Sequence, residues 1–443
     1  MPSLFTFSRR PTRLLPIALL CCALQRPAAA AAQQPADSVA RSQLDSLAAV
    51  IAGLTQQLDG LAAQQAQAGQ ARAPGSFMNI SLVGLTTAGW STEPDVESLQ
   101  VGAHDPRVRG FGVPNAELAF DGAVDPYFQA RAFVVYGLDG EGETTVELEE
   151  MYFLTTSLPH NLQLKGGQSF LEFGRQNPQH PHSWGFADQP LVLNRMFGGE
   201  GLRSQGARLA WLLPTSFYTE AMLGVHNATG ETTSSFRSEE SPELHGGVPD
   251  ESPVTGAGDL LWVPRVATSL DLSDTQTLLA GASAAFGPNN SGPDADTRIV
   301  GADVYWKWRP VAAQRGFPFV SFQAEALWRR YEAGERASAE DGATILPGET
   351  LADRGYYAQL LWGIKPLVVA GIRGEAARGD PSAFVSELRA DRWRISPNLT
   401  WYPTEFSKLR VQYNYDDRAG IGTDHSLWLQ AEILLGAHAA HQF

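Results

Sequence analysis

The chain has 443 residues, a formal net charge of −15, 43 glycines and 10% aromatic side chains. The acidic balance argues against nucleic-acid binding. No run of about 18 apolar residues follows the N-terminal region, so helical membrane spans are excluded. Two or three soluble domains remain open, as does one large barrel, whose strands need apolar residues only at alternate positions.

Residues 1–32 read as a secretory signal. Arg9, Arg10 and Arg13 form its basic region, Leu14 to Leu24 its apolar stretch, and Ala28 to Ala32 the small residues for cleavage. Both cysteines, Cys21 and Cys22, lie inside it, and Leu19 and Leu20 before them do not suit lipoprotein cleavage. The mature chain then has neither a disulfide nor a thiolate metal site. Loss of four arginines and no acid takes its charge to −19. In a barrel that excess acid falls largely on external loops, where divalent cations could bridge it to lipid phosphates.

Residues 33–75 are expected to form a helix and hinge. Leu44, Leu47, Ile51, Leu54, Leu58 and Leu61 recur at alternating steps of three and four, an a/d seam of about three heptads. Asp37 and Ser38 can cap its start. A lone helix of this length is marginal, so three copies in a periplasmic trimeric coiled coil are expected to support one another. The plainer alternative is an amphipathic helix packed on its own barrel. Gly69 to Gly75, with Pro74, is the hinge.

From residue 76 to 443 apolar and polar residues alternate, the mark of strands with two unlike faces. The predicted strands are Phe77–Trp90, Val108–Asp121, Tyr127–Leu138, Thr144–Thr156, Asn161–Glu172, Gly206–Leu213, Phe217–Asn227 and Leu260–Leu272. They continue with Thr275–Phe286, Thr297–Arg309, Phe317–Tyr331, Arg354–Lys365, Leu367–Ala377, Arg389–Tyr402, Ser407–Asp417 and the last stretch, Ser426–Phe443. Short links, such as Leu272–Thr275 and Lys365–Pro366, alternate with long ones near 91–107, 173–205, 228–259, 287–296, 332–353 and 378–388. Links 139–143 and 418–424, on the long side, are short. Short periplasmic turns opposite longer external loops are expected of an outer-membrane barrel. The expected fold is all-β: a transmembrane antiparallel up-and-down barrel of about 16 strands, preceded by the short helix. An even strand count leaves both termini in the periplasm. Trp90, Tyr152, Trp211, Tyr218, Trp306, Trp308, Trp362, Trp401 and Tyr402 are expected to form interfacial girdles.

In the last strand Leu427, Leu429, Ala431, Ile433 and Leu435 share one face, opposite Ser426, Gln430 and Glu432, with Trp428 and Leu434 as exceptions. Phe443 ends the apolar face. It resembles the assembly signal of bacterial outer-membrane barrels, which implies the barrel-assembly machinery as a partner.

Phe173 to Gly206 reads FGRQNPQHPHSWGFADQPLVLNRMFGGEGLRSQG. It is the third external connection, and it is too aromatic and apolar for a solvent-exposed tip. The place to bury it is the barrel interior. In this it resembles the general porins, whose third loop bends inward as a constriction. The runs GRQNPQHPHSW and DQPLV, with the ending GAHAAHQF, are similar to porin-like outer-membrane proteins. The layout of signal, coiled coil and 16-strand trimeric barrel resembles more loosely the phosphate-selective porin O/P family. No lysine-rich constriction matches, so that family's substrate residues do not transfer.

The expected lumen and constriction residues are Arg131, Lys165, Arg208, Lys307 and Arg410 on the wall, and Arg175, His180, His182, Asp188, Arg195, Glu200 and Arg203 from the loop. Arg265, Arg373, Arg392, Arg394, Glu147, Glu149, Asp303, Glu325 and Glu375 also face inward. Opposed charged walls order water and select by charge. The arginines favour anions, while the acidic total opposes this. Each arginine could equally be an ion pair holding the loop to the wall. His180 and His182 have a possible ligand spacing, and His438 and His441 form a second pair. No adjacent carboxylate is evident from the sequence, so hydrogen bonding within the loop is expected and no metal.

His425 and Ser426 are adjacent, but neighbours on a strand point oppositely. No phosphate loop, HExxH or GxSxG occurs, so neither an enzyme nor a cofactor is expected. The sequence reads as a trimeric porin of a Gram-negative outer membrane, surrounded by lipid and passing small hydrophilic solutes or ions. The alternative is a structural protein that tethers the membrane to the cell wall through its coiled coil.

Overall fold

The computed structural model describes residues 78–138, 142–238, 244–250 and 253–436. The signal, the Leu44–Leu61 seam, His438, His441 and Phe443 lie outside the described residues.

Sixteen antiparallel strands close into one barrel, β1 pairing with β16. They are β1 Met78–Ser91, β2 Gly110–Ala123, β3 Phe128–Leu138, β4 Thr144–Thr155, β5 Leu162–Phe170, β6 Arg203–Leu212, β7 Tyr218–Asn227 and β8 Leu260–Ser273. There follow β9 Gln276–Pro288, β10 Asp296–Trp308, β11 Phe319–Ala333, β12 Glu349–Lys365, β13 Val368–Gly379, β14 Arg392–Thr404, β15 Ser407–Arg418 and β16 Gly422–Gly436. Each strand pairs with its chain neighbours, so closure leaves no free edge, as lipid requires. The predicted order and number hold, with ends shifted by a few residues. The largest shift at a strand start is in β12, which begins five residues early at Glu349.

Alternation sorts the side chains. Leu82, Phe153, Leu223, Val300, Leu360, Ile372, Leu399, Val411, Leu429 and Ile433 are exposed on the outside. Such a belt would be an aggregation hazard in water and is what a hydrocarbon layer accommodates. Trp90, Trp211, Tyr218, Trp362 and Trp401 stand exposed, as a girdle requires. Tyr152 and Tyr402 correct the expectation by pointing inward. Met151, Phe153 and Trp401 beside them take the outward positions, and consecutive strand residues face opposite ways.

Between β3 and β4 the register slips, Phe133 pairing with Glu150 and Val134 with Leu148. Glu149 is the extra residue of a β-bulge, so two consecutive glutamates, Glu149 and Glu150, are both buried in the lumen. Bulges re-aim side chains in this way.

The connection 171–202, here L3, turns into the barrel. It carries a seven-residue helix, α1 Leu191–Phe197, whose Val192, Leu193, Met196 and Phe197 are fully buried. They pack with Leu171, Phe173 and Leu202 of L3, with Phe236 of the next external loop, and with Leu261, Val263, Ile299, Leu327 and Tyr357 of the wall. The barrel core is thus the interior of L3 against β8 to β12. Burying each such side chain stabilises by about 1.5–3 kcal/mol, which explains why this loop leaves water. A Cβ at Gly355 would stand 2.8 Å from Val192, so the wall is thinned where α1 docks.

Candidate functional site

L3 crosses the lumen and touches most of its wall. Near its start Gly174 takes a left-handed φ of +63°. The turn is held by Glu325 of β11, which accepts from the backbone N–H of Arg175 (3.1 Å) and Gln176 (2.7 Å) and from the Tyr357 hydroxyl (2.7 Å). Further on, the backbone carbonyls of His182, Gly185 and Trp184 accept from Lys408, Asn398 and Arg410. Asp188 meets Arg373 and Arg394 of β13 and β14, which also share Glu375. Glu375 in turn accepts from the Leu191 N–H, the first residue of α1 (2.6 Å). Burial alone would push the Asp188 carboxyl up, but Arg394 and Arg373 hold it down at about 2.

The structure divides the predicted residues into three groups. The first is structural. Lys165 and Arg208 share Glu172, at 2.7 and 3.4 Å. Arg195 lies 3.8 Å from Asp353, which also binds Arg329 and Arg389. Arg203 opens β6 rather than ending the loop, and pairs with Glu147. Arg410 is buried, donating to Thr400, Gln430 and the Trp184 carbonyl.

The second group lines a cavity of about 360 Å³ on the side of L3 where the short turns lie. Arg175 stacks over Tyr305 with its guanidinium carbon 4.0 Å from the ring centroid, and Lys307 lies 5.3 Å from that of Phe319. Trp184, Gln179, Gln323, Gln359 and Tyr402 complete much of the lining, which contains no carboxylate among the described residues. Arg131 lies outside this cavity: it has the inward phase of β3 and is exposed beside Tyr152, its partner in register.

The third group surrounds His180. Its Nδ1 lies 2.9 Å from both Glu117 and Glu149, and its Nε2 lies 2.8 Å from Glu150. His182 stacks on it, with ring centroids 5.7 Å apart and Nδ1 3.7 Å from Glu117. Glu200 and Glu149 flank His104, at 3.5 and 3.4 Å. Burial opposes charge on both His180 and His104. Glu117 and Glu149 nevertheless hold His180 well above the ordinary histidine range, and Glu149 with Glu200 raises His104 to about 9. The sequence shows no carboxylate adjacent to His180, and the structure corrects this with three. Glu117 carried a usable signal, since alternation along β2 turns it inward. Glu150 carried none, because the bulge reverses its phase. His104 lies in the first external connection, where no periodicity marks a contact.

No family model matches the chain. An uncharacterised protein of Aquifex aeolicus is 32% identical over 362 residues, 76% of this chain and 70% of that protein. The chain belongs to that protein's family. Among solved structures, the outer membrane channel DcaP of Acinetobacter baumannii superposes with a TM-score of 0.51 at 13% identity, covering 81% of this chain and 96% of that one. An anion-selective porin of Comamonas acidovorans gives 0.50 at 6% identity, covering 81% of this chain and all of that one. The fold of this chain is therefore that of the bacterial outer-membrane porins.

Proposed function

We propose that this protein is an outer-membrane porin through which small hydrophilic solutes or ions diffuse down their gradient, with L3 as the constriction and a preference for anions. The observation that carries the reading is the vestibule under L3, where Arg175 and Lys307 face a polar and aromatic lining with no acid among its described residues. Cations whose field is not cancelled nearby attract anions and repel cations. Nothing in this reading needs a catalytic group or a cofactor, and the histidines serve the loop rather than a nucleophile.

The outer membrane as location, lipid around the belt and the assembly machinery acting on Phe443 belong to the same reading. So does a homotrimer joined through the Leu44–Leu61 seam. Removing that segment weakens the oligomer in detergent; an equally stable trimer would give the helix another task. The dense packing around α1 supports a second reading, a narrow barrel whose main role is to tether the membrane to the cell wall. Conductance in planar bilayers separates the two. Steps in triplets, with a reversal potential of anion sign in a salt gradient, support the pore. A silent barrel that still binds cell wall supports the tether.

A further inference from the structure

We propose that Glu117, Glu149 and His180 form a site for one divalent transition-metal ion, which clasps L3 to the β2–β4 wall. The three donor atoms come from three segments and lie within 4.8 Å of one another. His180 Nδ1 is equidistant, at 2.9 Å, from an oxygen of each carboxylate. A ring nitrogen carries at most one proton, so it cannot satisfy both. Of those two oxygens, Oε2 of Glu149 is buried without a hydrogen bond of good geometry among the described residues, as are Oε1 of Glu117 and Oε1 of Glu149, the last with His104 at 3.4 Å and Arg203 at 3.9 Å, and both side chains are wholly buried. A buried carboxylate oxygen left in this way is costly, and an ion seated between Nδ1 and the Oε2 atoms of Glu117 and Glu149 would engage all three at once.

The dimensions fit. Bonds of about 2.0–2.1 Å to tetrahedral zinc set donors about 3.3 Å apart, so opening the cluster by a few tenths of an ångström admits an ion. The other ring nitrogen supports the assignment independently. Metal-bound histidines ordinarily present their second nitrogen to a carboxylate, which fixes the tautomer and the ring. His180 Nε2 meets Glu150 at 2.8 Å, and Phe133 flanks the ring at 4.5 Å between centroids. The β4 bulge supplies both carboxylates at once, Glu149 for the ion and Glu150 for the ring. One imidazole with two carboxylates suits zinc, cobalt or manganese better than calcium, which takes six to eight oxygens. His182 is placed to approach as a fourth donor.

The full-length protein in detergent, stripped with chelator and dialysed, tests this with Co²⁺ and then Zn²⁺. One Co²⁺ per chain is expected to bind with visible ligand-field absorption and to be displaced by Zn²⁺. H180A and E149Q should lower the affinity by about 100-fold or more, and E150Q by about 10–100-fold, while H160A on a periplasmic turn binds normally. Folding of each variant is checked by its mobility on gels before and after boiling. Should H180A or E149Q fail to fold, the wild type alone decides: Zn²⁺ raises its melting temperature and Mg²⁺ does not. Absence of the absorption band, equal binding by folded H180A, or equal melting with the two ions would overturn the site. None of these readouts depends on whether L3 is the constriction.

Discussion

Between L3 and the β13–β14 wall, Arg373 and Arg394 are locked onto Asp188 and Glu375, with all four side chains buried. On the short-turn side of the same loop, Arg175 and Lys307 rest on aromatic rings and face a cavity with no acid among its described lining residues. The residue types are similar and the roles are opposite. A cation enclosed with its counter-ion has no field left for a passing solute and serves as an anchor. A cation stacked on a ring keeps its charge available at close range. Net charge therefore says little about selectivity here, because most of the acid within the barrel is consumed in holding the loop.

Experiments can break this contrast in order of expected size. Deleting residues 176–202 should raise single-channel conductance several-fold if L3 is the constriction as proposed; unchanged conductance would mean that L3 does not narrow the pore. Asp188→Ala leaves Arg373 and Arg394 short of a buried partner. Removing one member of such a pair costs about 3–5 kcal/mol, seen as a lower melting temperature and noisier current at unchanged ion selectivity. Arg175→Gln with Lys307→Gln should do the reverse: the reversal potential moves toward cation preference while melting is little changed. If the potential does not move, the vestibule is not the selective element.

Acid gives the finest test. Asp188 is held at about 2 against an ordinary value of 3.8. A depressed carboxylate contributes its stability above its unfolded pKa and loses it as pH falls through the folded value. Loop anchorage by this pair should be constant from neutral pH down to about 4 and fade between about 4 and 2. Channel noise recorded against pH checks it, and an onset near pH 6 would point to another group.

Much of the barrel was legible because a strand exposes its two faces in strict turn. Val300 to Trp308 on one side of β10 and Asp303 to Lys307 on the other needed no structure to be told apart. The inward bend of L3 was legible from composition, because a stretch such as QPLVLNRMF has no reason to stay in water. The pairing of its charges was not. Asp188 lies 185 residues from Arg373 in the chain, and no local pattern links them.

By itself, then, the sequence determined the strand number and the outward face, which follow from the spacing of apolar residues along the chain, and which connection would fill the lumen, which follows from that connection's composition. Only the tertiary structure decided which cations became anchors, which stayed available, and that Glu117, Glu149 and Glu150 would converge on His180. Those outcomes depend on closure of the sheet and on one slipped register in β4, and a change of phase at a single residue leaves no trace in a periodic pattern.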